Sequence, residues 1–185
     1  MSVTLITGGV RSGKSGYAES RIHAEGGGAL YVATLTAGDT EMRERVRRHR
    51  ESRPASWPTW ETHTGLSQAA AAAPVDSYRS ILLDCVSNLL TFTWFDHITD
   101  DEAFTESQVA AVEERCMAEI DAIVAFANTN GKNLYLVTNE VGWGVVPPTP
   151  LGRAYRDTLG RLNQHCARVA DEVVLLLSGI PLVIK

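Results

Sequence analysis

Short apolar runs recur along the chain, and longer stretches with apolar residues at helical spacing lie between them. This alternation is typical of parallel strands that are joined by helices. The pattern predicts strands at residues 4–7, 29–33, 81–84, 133–138 and 172–177. A last short run at 181–184 follows a Ser178-Gly179 turn, and we expect it to pair antiparallel at the edge of the sheet.

The intervening stretches predict helices at residues 15–25, 105–128 and 151–170. Thr105 and Gln108 have the spacing of a capping box at the start of the second helix. Its predicted core face is Val109, Val112, Cys116, Ile120, Ile123 and Ala127. The third helix has a similar face, formed by Leu151, Tyr155, Leu159, Leu162, Cys166 and Val169. An alanine run at 69–73 predicts the end of a further helix before Pro74.

The turn after the first strand carries a G-x-x-x-x-G-K-S phosphate-binding loop. Its members are Gly8, Gly9, Val10, Arg11, Ser12, Gly13, Lys14 and Ser15. Backbone N–H groups of such a loop converge on an anion at the positive end of a helix. Lys14 supplies a charge to the outer phosphates, and the Ser15 hydroxyl is placed to bind Mg²⁺. Glycine is required at Gly8 and Gly13, where a side chain would block a phosphate oxygen or strain the backbone.

Together these elements predict an α/β protein with the three-layer, RecA-like P-loop fold. Its sheet is mostly parallel, with helices on both sides and a short antiparallel strand at the C-terminal edge. A length of 185 residues with 44% apolar residues suits a single nucleotide-binding domain over residues 1–185. No repeat or linker divides it.

An apolar strand that ends at Asp84 has the form of the second nucleotide-binding element of such a fold. A carboxylate there holds Mg²⁺ through water, opposite Ser15. Many strands also end in an aspartate that only caps a turn or a helix, so this role depends on the phosphate-binding loop.

Residues 39–53 form a segment with six arginines, in a protein whose net charge is −5. Guanidinium groups match phosphate oxygens in pairs. On a helix, His49 shares a stripe with Met42 and Val46, and the surrounding cations favour its neutral, nucleophilic ring. Three interpretations stay open from this segment alone: an incidental histidine on a solvated helix, a nucleic-acid patch, and a phosphoryl-transfer site.

Composition narrows the function classes. The negative net charge disfavours general binding to nucleic acid. Cys85, Cys116 and Cys166 are far apart, without metal-ligand spacing, and are predicted to be small core residues. No apolar run reaches the roughly 20 residues that span a bilayer, and no signal peptide precedes the first strand, so we expect a cytoplasmic enzyme.

The motifs together resemble those of one family. They are TGGVRSGKS, YVAT, DTEMRERVRRHRESRPASWPTWET, LLDC, VTNEVGWGVVP, GRAYRDTLGRLNQ and ADEVVLLLSGIPLVIK, in this order. The chain is identified from them as similar to the bifunctional adenosylcobinamide kinase / adenosylcobinamide-phosphate guanylyltransferases of cobalamin biosynthesis. The similarity runs from Thr4 to Lys185 and is weakest around residues 91–105.

The resemblance implies two reactions on one chain. A nucleoside triphosphate, ATP or GTP, phosphorylates the aminopropanol hydroxyl of adenosylcobinamide. GTP then loses pyrophosphate as its GMP is captured on a histidine, which falls on His49. Adenosylcobinamide-phosphate displaces the histidine and gives adenosylcobinamide-GDP. A kinase without the covalent nucleotidyl step is the alternative, and a nucleotide-dependent switch or nucleic-acid binder is a third class.

The resemblance also implies nucleotide contacts outside the loop. They fall on Thr34, Leu35, Thr36, Arg50, Glu51, Ser52, Arg53, Glu61 and Asp84. With Mg²⁺, the metal ligands would be Ser15 and Asp84. The family assembles as a homotrimer, so a trimer is implied here. After Asp84 the chain reads CVSNLLTFTWF, whereas family members often have a threonine-rich stretch here. This difference would alter either the region that binds the kinase acceptor or the packing of a helix.

Other residues carry weaker signals. Glu140, past a strand end, suits a metal or acceptor contact as well as a turn. Trp143 suits stacking on a corrinoid, but we expect it to be a core anchor. Trp57 and Trp60 are expected to pack rather than to touch a base. Ordinary surface or core roles are expected for His23, His63, His97 and His165.

Overall fold

The computed structural model describes residues 1–35, 56–100 and 103–185. Within these residues the strands are β1 (Val3–Gly8), β2 (Ala29–Ala33), β3 (Thr59–Glu61), β4 (Ser80–Asp84), β5 (Asn133–Val137), β6 (Glu172–Leu177) and β7 (Ile180–Val183). The helices are α1 (Lys14–Glu25), α2 (Leu66–Ala72), α3 (Val86–His97), α4 (Glu106–Thr129) and α5 (Pro150–Val169), with a 3₁₀ turn at Val75–Ser77.

All the described strands form one sheet in the order β3-β2-β4-β5-β1-β6-β7. Neighbours run parallel except β6 and β7, which pair antiparallel with Leu177 opposite Ile180. The predicted mostly parallel sheet with an antiparallel C-terminal edge is therefore confirmed. Since β1 lies between β5 and β6, the loop that follows it is supported from both sides.

Alternate residues of the central strands face two separate cores, as the pleat of a strand requires. Leu5 packs with the core that is covered by α2, α3, α4 and α5, whereas Ile6 packs with the core that contains residues of α1. In β2, Val32 and Tyr31 divide in the same way. This arrangement confirms the three predicted layers.

Helix positions agree closely with the sequence pattern. The α4 helix has the predicted capping box: Thr105 accepts from the N–H of Gln108, and the Gln108 side chain accepts from the Thr105 N–H. Five of the six predicted core residues of this helix are fully buried, and Val109 is partly buried against them. The α5 helix begins at Pro150, capped by the Thr149 hydroxyl.

Two described elements are missing from the sequence prediction. The β3 strand is three exposed residues, which leave no apolar signal. The α3 helix has buried residues on most of its circumference, so its apolar pattern has no clear period. The predicted arginine-rich segment at 39–53 lies outside the described residues. None of the described helices combines the length and the apolar character needed to cross a bilayer.

Candidate nucleotide and acceptor site

The phosphate-binding loop lies between β1 and α1, as predicted. Gly8 has φ of +147° and Gly13 has φ of +95°, both in the region that favours glycine. A Cβ atom on Gly8 would lie 2.5 Å from the carbonyl oxygen of Leu176. Backbone geometry at both positions therefore requires glycine, and at Gly8 the close contact is with β6.

Neighbouring chain segments support this loop through main-chain hydrogen bonds. The N–H of Glu140, just past β5, donates to the Gly8 oxygen at 3.0 Å. The N–H of Gly179, in the β6–β7 turn, donates to the Ser12 oxygen at 2.9 Å. Sequence reasoning did not find these supports, because each joins residues more than 100 positions apart.

Lys14 is the buried cation of the loop. Its side chain is only 7% exposed, and its Nζ donates to the oxygens of Gly8 at 2.9 Å and Gly9 at 2.7 Å. Burial lowers the pKa of Lys14, while nearby Cys85 and Asp84 act in the opposite direction. The ammonium group is thus already desolvated at the position from which it would reach phosphate oxygens.

Asp84 ends β4 at the carboxyl edge of the sheet, where its main chain is in register with Ala33 and Val137. The hydroxyl of Tyr31, a buried β2 residue, donates to its carboxylate. Asp84 and Ile6 are both in register with Val137, so the predicted acidic residue lies at the same edge of the sheet as the phosphate-binding loop. Tyr31 itself was not among the predicted site residues.

Two hydroxyls of the loop region are inside the fold without a hydrogen-bond partner in the described part of the chain. They are Ser12 Oγ and Thr7 Oγ1. Buried hydroxyls normally have a partner, so unpaired ones beside a phosphate-binding loop suit a ligand with strong acceptor oxygens. Ser15 is partly exposed at the start of α1.

Thr34 lies past the end of β2 and is fully buried. Its hydroxyl donates to the Cys85 oxygen at 2.6 Å and accepts from the Cys85 N–H at 2.8 Å. The side chain thus links the ends of β2 and β4, and Leu35 next to it is partly exposed. Burial raises the pKa of the Cys85 thiol to about 11, so this cysteine is an unreactive core residue near the site.

A polar network continues from Cys85 across the same edge of the sheet. The Ser87 hydroxyl contacts the Cys85 thiol at 2.9 Å and accepts from the Asn139 amide at 2.7 Å. The Asn163 amide donates to the Asn139 oxygen, and its own side-chain oxygen accepts from the Thr138 hydroxyl at 2.7 Å. The ends of β4 and β5 are thereby held to α5.

With this geometry in place, comparison with known proteins identifies the family. The family model described as cobinamide kinase / cobinamide phosphate guanyltransferase matches residues 4–184. The chain belongs to this family.

Curated relatives agree along the full length. The bifunctional adenosylcobalamin biosynthesis protein CobU of Escherichia coli is 40% identical over 181 residues, 98% of each chain. CobU of Salmonella typhimurium is 40% identical over 183 residues, again 98% of each chain. CobP of Pseudomonas aeruginosa is 37% identical over 182 residues, 98% of this chain and 96% of the relative.

Members of the cobinamide kinase / cobinamide phosphate guanyltransferase family are transferases, as the sequence motifs indicated.

Several site residues predicted for this chain lie outside the described residues: Thr36, His49, Arg50, Glu51, Ser52 and Arg53. Glu61 is described, exposed at the end of β3 and in register with Ala33. It thus lies two strands from Asp84, at the same edge of the sheet.

The structure agrees with some of the weaker predictions and contradicts one of them. Glu140 has the turn role, since its Oε1 accepts from the Gly142 N–H at 2.7 Å. Trp57 is buried against His23, as expected of a packing residue, whereas Trp60 is 41% exposed. The expectation that Trp143 is a core anchor is wrong, because this side chain is 70% exposed. The nearby apolar residues Val141, Val145 and Val146 are exposed too, so this segment is a surface loop and not a buried turn.

The four other histidines have the ordinary roles expected of them. His63 pairs with Asp96, His165 pairs with Asp121, His97 contacts the Thr93 carbonyl oxygen, and His23 packs against Trp57. All three cysteines are buried and free, which confirms their prediction as core residues.

Between α3 and the first turn of α5 lies a largely apolar cavity of about 280 Å³. Trp94, Phe95 and Leu151 line it, together with the hydroxyl-bearing Thr91 and Tyr155. The Tyr155 hydroxyl donates to the main-chain oxygen of Ser87 at 3.0 Å. The cavity is therefore joined through Ser87 to the polar network beside Asp84.

Proposed function

We propose that residues 1–185 form a single domain that carries both activities named for its family. In the first, a nucleoside triphosphate phosphorylates the aminopropanol hydroxyl of adenosylcobinamide. In the second, GTP transfers GMP to adenosylcobinamide-phosphate and releases pyrophosphate. The observation that carries this proposal is the buried Lys14 of the phosphate-binding loop, with Asp84 at the same edge of the sheet, in a chain that matches the family model over residues 4–184.

In the proposed kinase step, the nucleotide phosphates lie over residues 8–15. Lys14 releases the carbonyl oxygens of Gly8 and Gly9 and donates instead to phosphate oxygens, because its interaction with a negatively charged oxygen is stronger than that with a neutral carbonyl. The hydroxyl of Ser12 gains an acceptor in the same movement. These contacts stabilise the charge that spreads over the transferred phosphoryl group.

Ser15 and Asp84 are the residues that would hold Mg²⁺ when the nucleotide is bound. A hydroxyl and a carboxylate are the hard oxygen ligands that this ion prefers, and Mg²⁺ usually has few protein ligands, since water and phosphates supply the others. No cluster of three or more His, Cys, Asp or Glu side chains with metal-binding geometry occurs in the described parts of the chain, which suits such a sparse site. Bound there, the ion would neutralise phosphate charge.

In the proposed guanylyl step, the His49 lone pair attacks the α-phosphorus of GTP. A P–N bond forms, and the bond to the pyrophosphate oxygen breaks, so the electron pair leaves with pyrophosphate. An oxygen of adenosylcobinamide-phosphate then attacks the same phosphorus, and the P–N bond breaks to restore the imidazole. Arg50 and Arg53 follow His49 in sequence and supply cations for the nucleotide.

The other proposed nucleotide contacts come from two groups. Thr34, Leu35 and Glu61 lie at the ends of β2 and β3, at the edge of the sheet that carries Asp84. Because the Thr34 hydroxyl is paired with Cys85, we assign Thr34 a positioning role. Thr36, Glu51 and Ser52 complete the set from the segment that contains His49.

Labelling with GTP tests the proposal. Protein incubated with GTP labelled at the α-phosphorus should acquire label that is acid-labile and alkali-stable, as a phosphoramidate is. The His49→Ala variant should acquire none, whereas His63→Ala, which changes a half-buried histidine paired with Asp96, should label normally. Adding adenosylcobinamide-phosphate should transfer the label to the corrinoid.

Two results would contradict parts of the proposal. Full labelling of His49→Ala would exclude His49 as the carrier. Absence of α-label in the wild-type protein, together with γ-phosphate transfer to cobinamide, would leave the simpler kinase alternative.

We also propose a homotrimer in the cytoplasm, where ATP and GTP are available. Exposed apolar side chains on the C-terminal hairpin support self-association: Leu177, Ile180, Leu182 and Val183. Light scattering coupled to size-exclusion chromatography should give three times the mass of the chain. A monomeric mass at micromolar concentration would contradict this part of the proposal.

A further inference from the structure

An exposed apolar segment follows β5, and neither proposed reaction step uses it. We call residues 141–146 the apolar loop. Trp143 is 70% and Val145 91% exposed, and Val141 and Val146 are also exposed. Single exposed apolar residues are ordinary, but four within six consecutive positions are typical of a binding surface.

The start of the apolar loop is fixed against the phosphate-binding loop. Glu140 donates its N–H to the Gly8 oxygen, and its carboxylate accepts from the Gly142 N–H. Trp143 is three residues beyond Glu140, and three residues of chain span at most about 10 Å. The exposed indole therefore lies within reach of a molecule whose other end is at the nucleotide phosphates.

The chain beyond the apolar loop leads to a cavity whose lining includes hydrogen-bonding groups. Thr149, three residues after Val146, contributes to the cavity between α3 and α5. Besides Thr149, the otherwise apolar lining contains the hydroxyls of Thr91 and Tyr155. Both donate to the main-chain oxygen of Ser87, so they are available to a ligand as hydrogen-bond acceptors. A ligand with a broad apolar face and hydrogen-bonding arms would find both kinds of contact side by side.

A corrinoid has this chemistry. Its ring is a broad, partly conjugated, methyl-bearing macrocycle with amide arms, and one arm ends in the hydroxyl that receives the phosphoryl group. The face opposite the adenosyl group is open to contact with a protein surface. That hydroxyl must reach the nucleotide, so the much larger ring has to lie on a surface next to the phosphate-binding loop. Aromatic side chains such as that of Trp143 supply large contact areas to conjugated rings.

We infer that the apolar loop is the platform on which the corrinoid ring of the acceptor rests, with Trp143 stacked against it. This inference depends on the proposed corrinoid acceptor and adds its location. The competing occupant is a second copy of the chain, which would bury the same side chains in a subunit contact.

Binding of a coloured corrinoid tests the inference without any turnover. Adenosylcobinamide, the proposed acceptor, is mixed with the full chain in dim light without any nucleotide, and its retention by ultrafiltration is measured from its visible absorbance. We expect Trp143→Ala to raise the dissociation constant at least about tenfold, as loss of a large aromatic contact does. Val145→Ser should raise it less, and Trp143→Phe should stay close to the wild type.

Controls separate the platform from other effects. Trp60→Ala removes another exposed tryptophan, on β3, and should leave corrinoid retention unchanged. Affinity for a fluorescent GTP analogue should be the same in all variants. The mass by light scattering should also be unchanged, because the inferred platform is not a subunit contact.

Three outcomes would overturn the inference. Unchanged corrinoid affinity in Trp143→Ala would remove the platform alone and leave the proposed function intact. A changed subunit number in that variant would assign the loop to a second copy. A wild-type protein that retains no adenosylcobinamide and transfers no γ-phosphate to it would remove the proposed function as well.

Discussion

The Tyr31 hydroxyl donates a hydrogen bond to the Asp84 carboxylate, although the two residues are 53 positions apart. They meet because β2 and β4 are parallel neighbours and Tyr31 is on the face that is packed against α1. A carboxylate held by a buried hydroxyl has less freedom to rotate. The tyrosine thereby orients the group that we propose to bind Mg²⁺.

Tyr31→Phe should weaken the response to Mg²⁺. Without the hydroxyl, Asp84 loses a charge-assisted hydrogen bond, and such bonds contribute about 1.5–3 kcal/mol. We expect the kinase rate at low Mg²⁺ to fall about tenfold and the half-saturating Mg²⁺ concentration to rise, while nucleotide affinity measured in EDTA changes little. Titration of the rate with Mg²⁺ checks this.

Tyr135→Phe is the matched control. The Tyr135 hydroxyl also donates to a carboxylate, that of Glu25 at the end of α1, away from the phosphate-binding loop. This variant should lose stability but keep the Mg²⁺ response. Equal Mg²⁺ curves for Tyr31→Phe and the wild type would contradict the orienting role of Tyr31.

Lys14→Met should slow both reactions strongly. The lysine is the buried cation of the loop, and removal of a preorganised electrostatic contact costs about 100-fold or more in rate. We expect both reactions to fall by at least that factor in steady-state assays, with the circular dichroism spectrum retained.

A second lysine of this chain provides the control. Lys132 Nζ donates to two main-chain oxygens, those of Val75 and Tyr78, just as Lys14 does within its loop. Lys132→Met should lower the free energy of unfolding by about 1–3 kcal/mol, the cost of unpaired polar groups, and leave the rates unchanged. Similar losses of rate in Lys14→Met and Lys132→Met would contradict a direct role of Lys14 in the reactions and indicate that it only stabilises the fold.

Gly8→Ala should destabilise the protein. The residue has a positive φ, and the new Cβ would lie 2.5 Å from the Leu176 oxygen. Strain of this kind costs on the order of 1–3 kcal/mol, and the contact adds to it. Urea unfolding should show a lower midpoint than the wild type, and nucleotide affinity should fall as well.

Gly9→Ala is the matched control, because it makes the same substitution in this loop at a position with room for a Cβ atom. No heavy atom of the described structure lies within 4 Å of a Cβ on Gly9, apart from its own chain neighbours, and its φ is not positive. Its unfolding midpoint should therefore match that of the wild type. A loss as large as that of Gly8→Ala would refute the steric explanation.

Stability should decline at alkaline pH. Burial raises the pKa of the thiols from 9.0 to about 11 for Cys85 and Cys116 and to about 12 for Cys166. Below pH 8 the thiols are protonated in both states. Between pH 9 and 11 the unfolded chain loses these protons first, so each thiol lowers the free energy of unfolding by about 1.4 kcal/mol per pH unit.

Urea unfolding at pH 8 and pH 10 measures this effect. Cys116→Ala removes one of the three thiols and should show a smaller difference between the two pH values. In the native protein at pH 8, the thiols should also resist alkylation, and they should react once the chain is unfolded. Rapid alkylation of the native protein would contradict their burial.

Most of the architecture could be predicted from the sequence, because the signals are local. The β2 and β6 strands have the predicted bounds, and the start of α4 has the predicted Thr105–Gln108 capping box. In each case, residues a few positions apart contain the whole pattern. The short β3 strand was missed because it is held by pairing with β2 and has no buried residue of its own.

The candidate site could be predicted only in part, for the same reason. Lys14 and the glycines of its loop belong to one contiguous motif, and Asp84 ends an apolar strand. Tyr31, Ser87 and Asn163 carry no motif, and their roles come from hydrogen bonds between distant segments. The exposure of Trp143 was predicted wrongly, because a Gly-Trp-Gly sequence is compatible with a buried turn as well as with a surface loop.

By itself, the sequence determined the phosphate-binding loop, most of the strands and helices and the family, since each depends on residue types at short spacing. Only the tertiary structure decided which distant side chains meet at the carboxyl edge of the sheet, and that the segment after β5 leaves its apolar side chains in solvent. The physical reason is that hydrogen bonds and burial depend on distances in space, which parallel strand pairing sets across tens of residues of intervening chain.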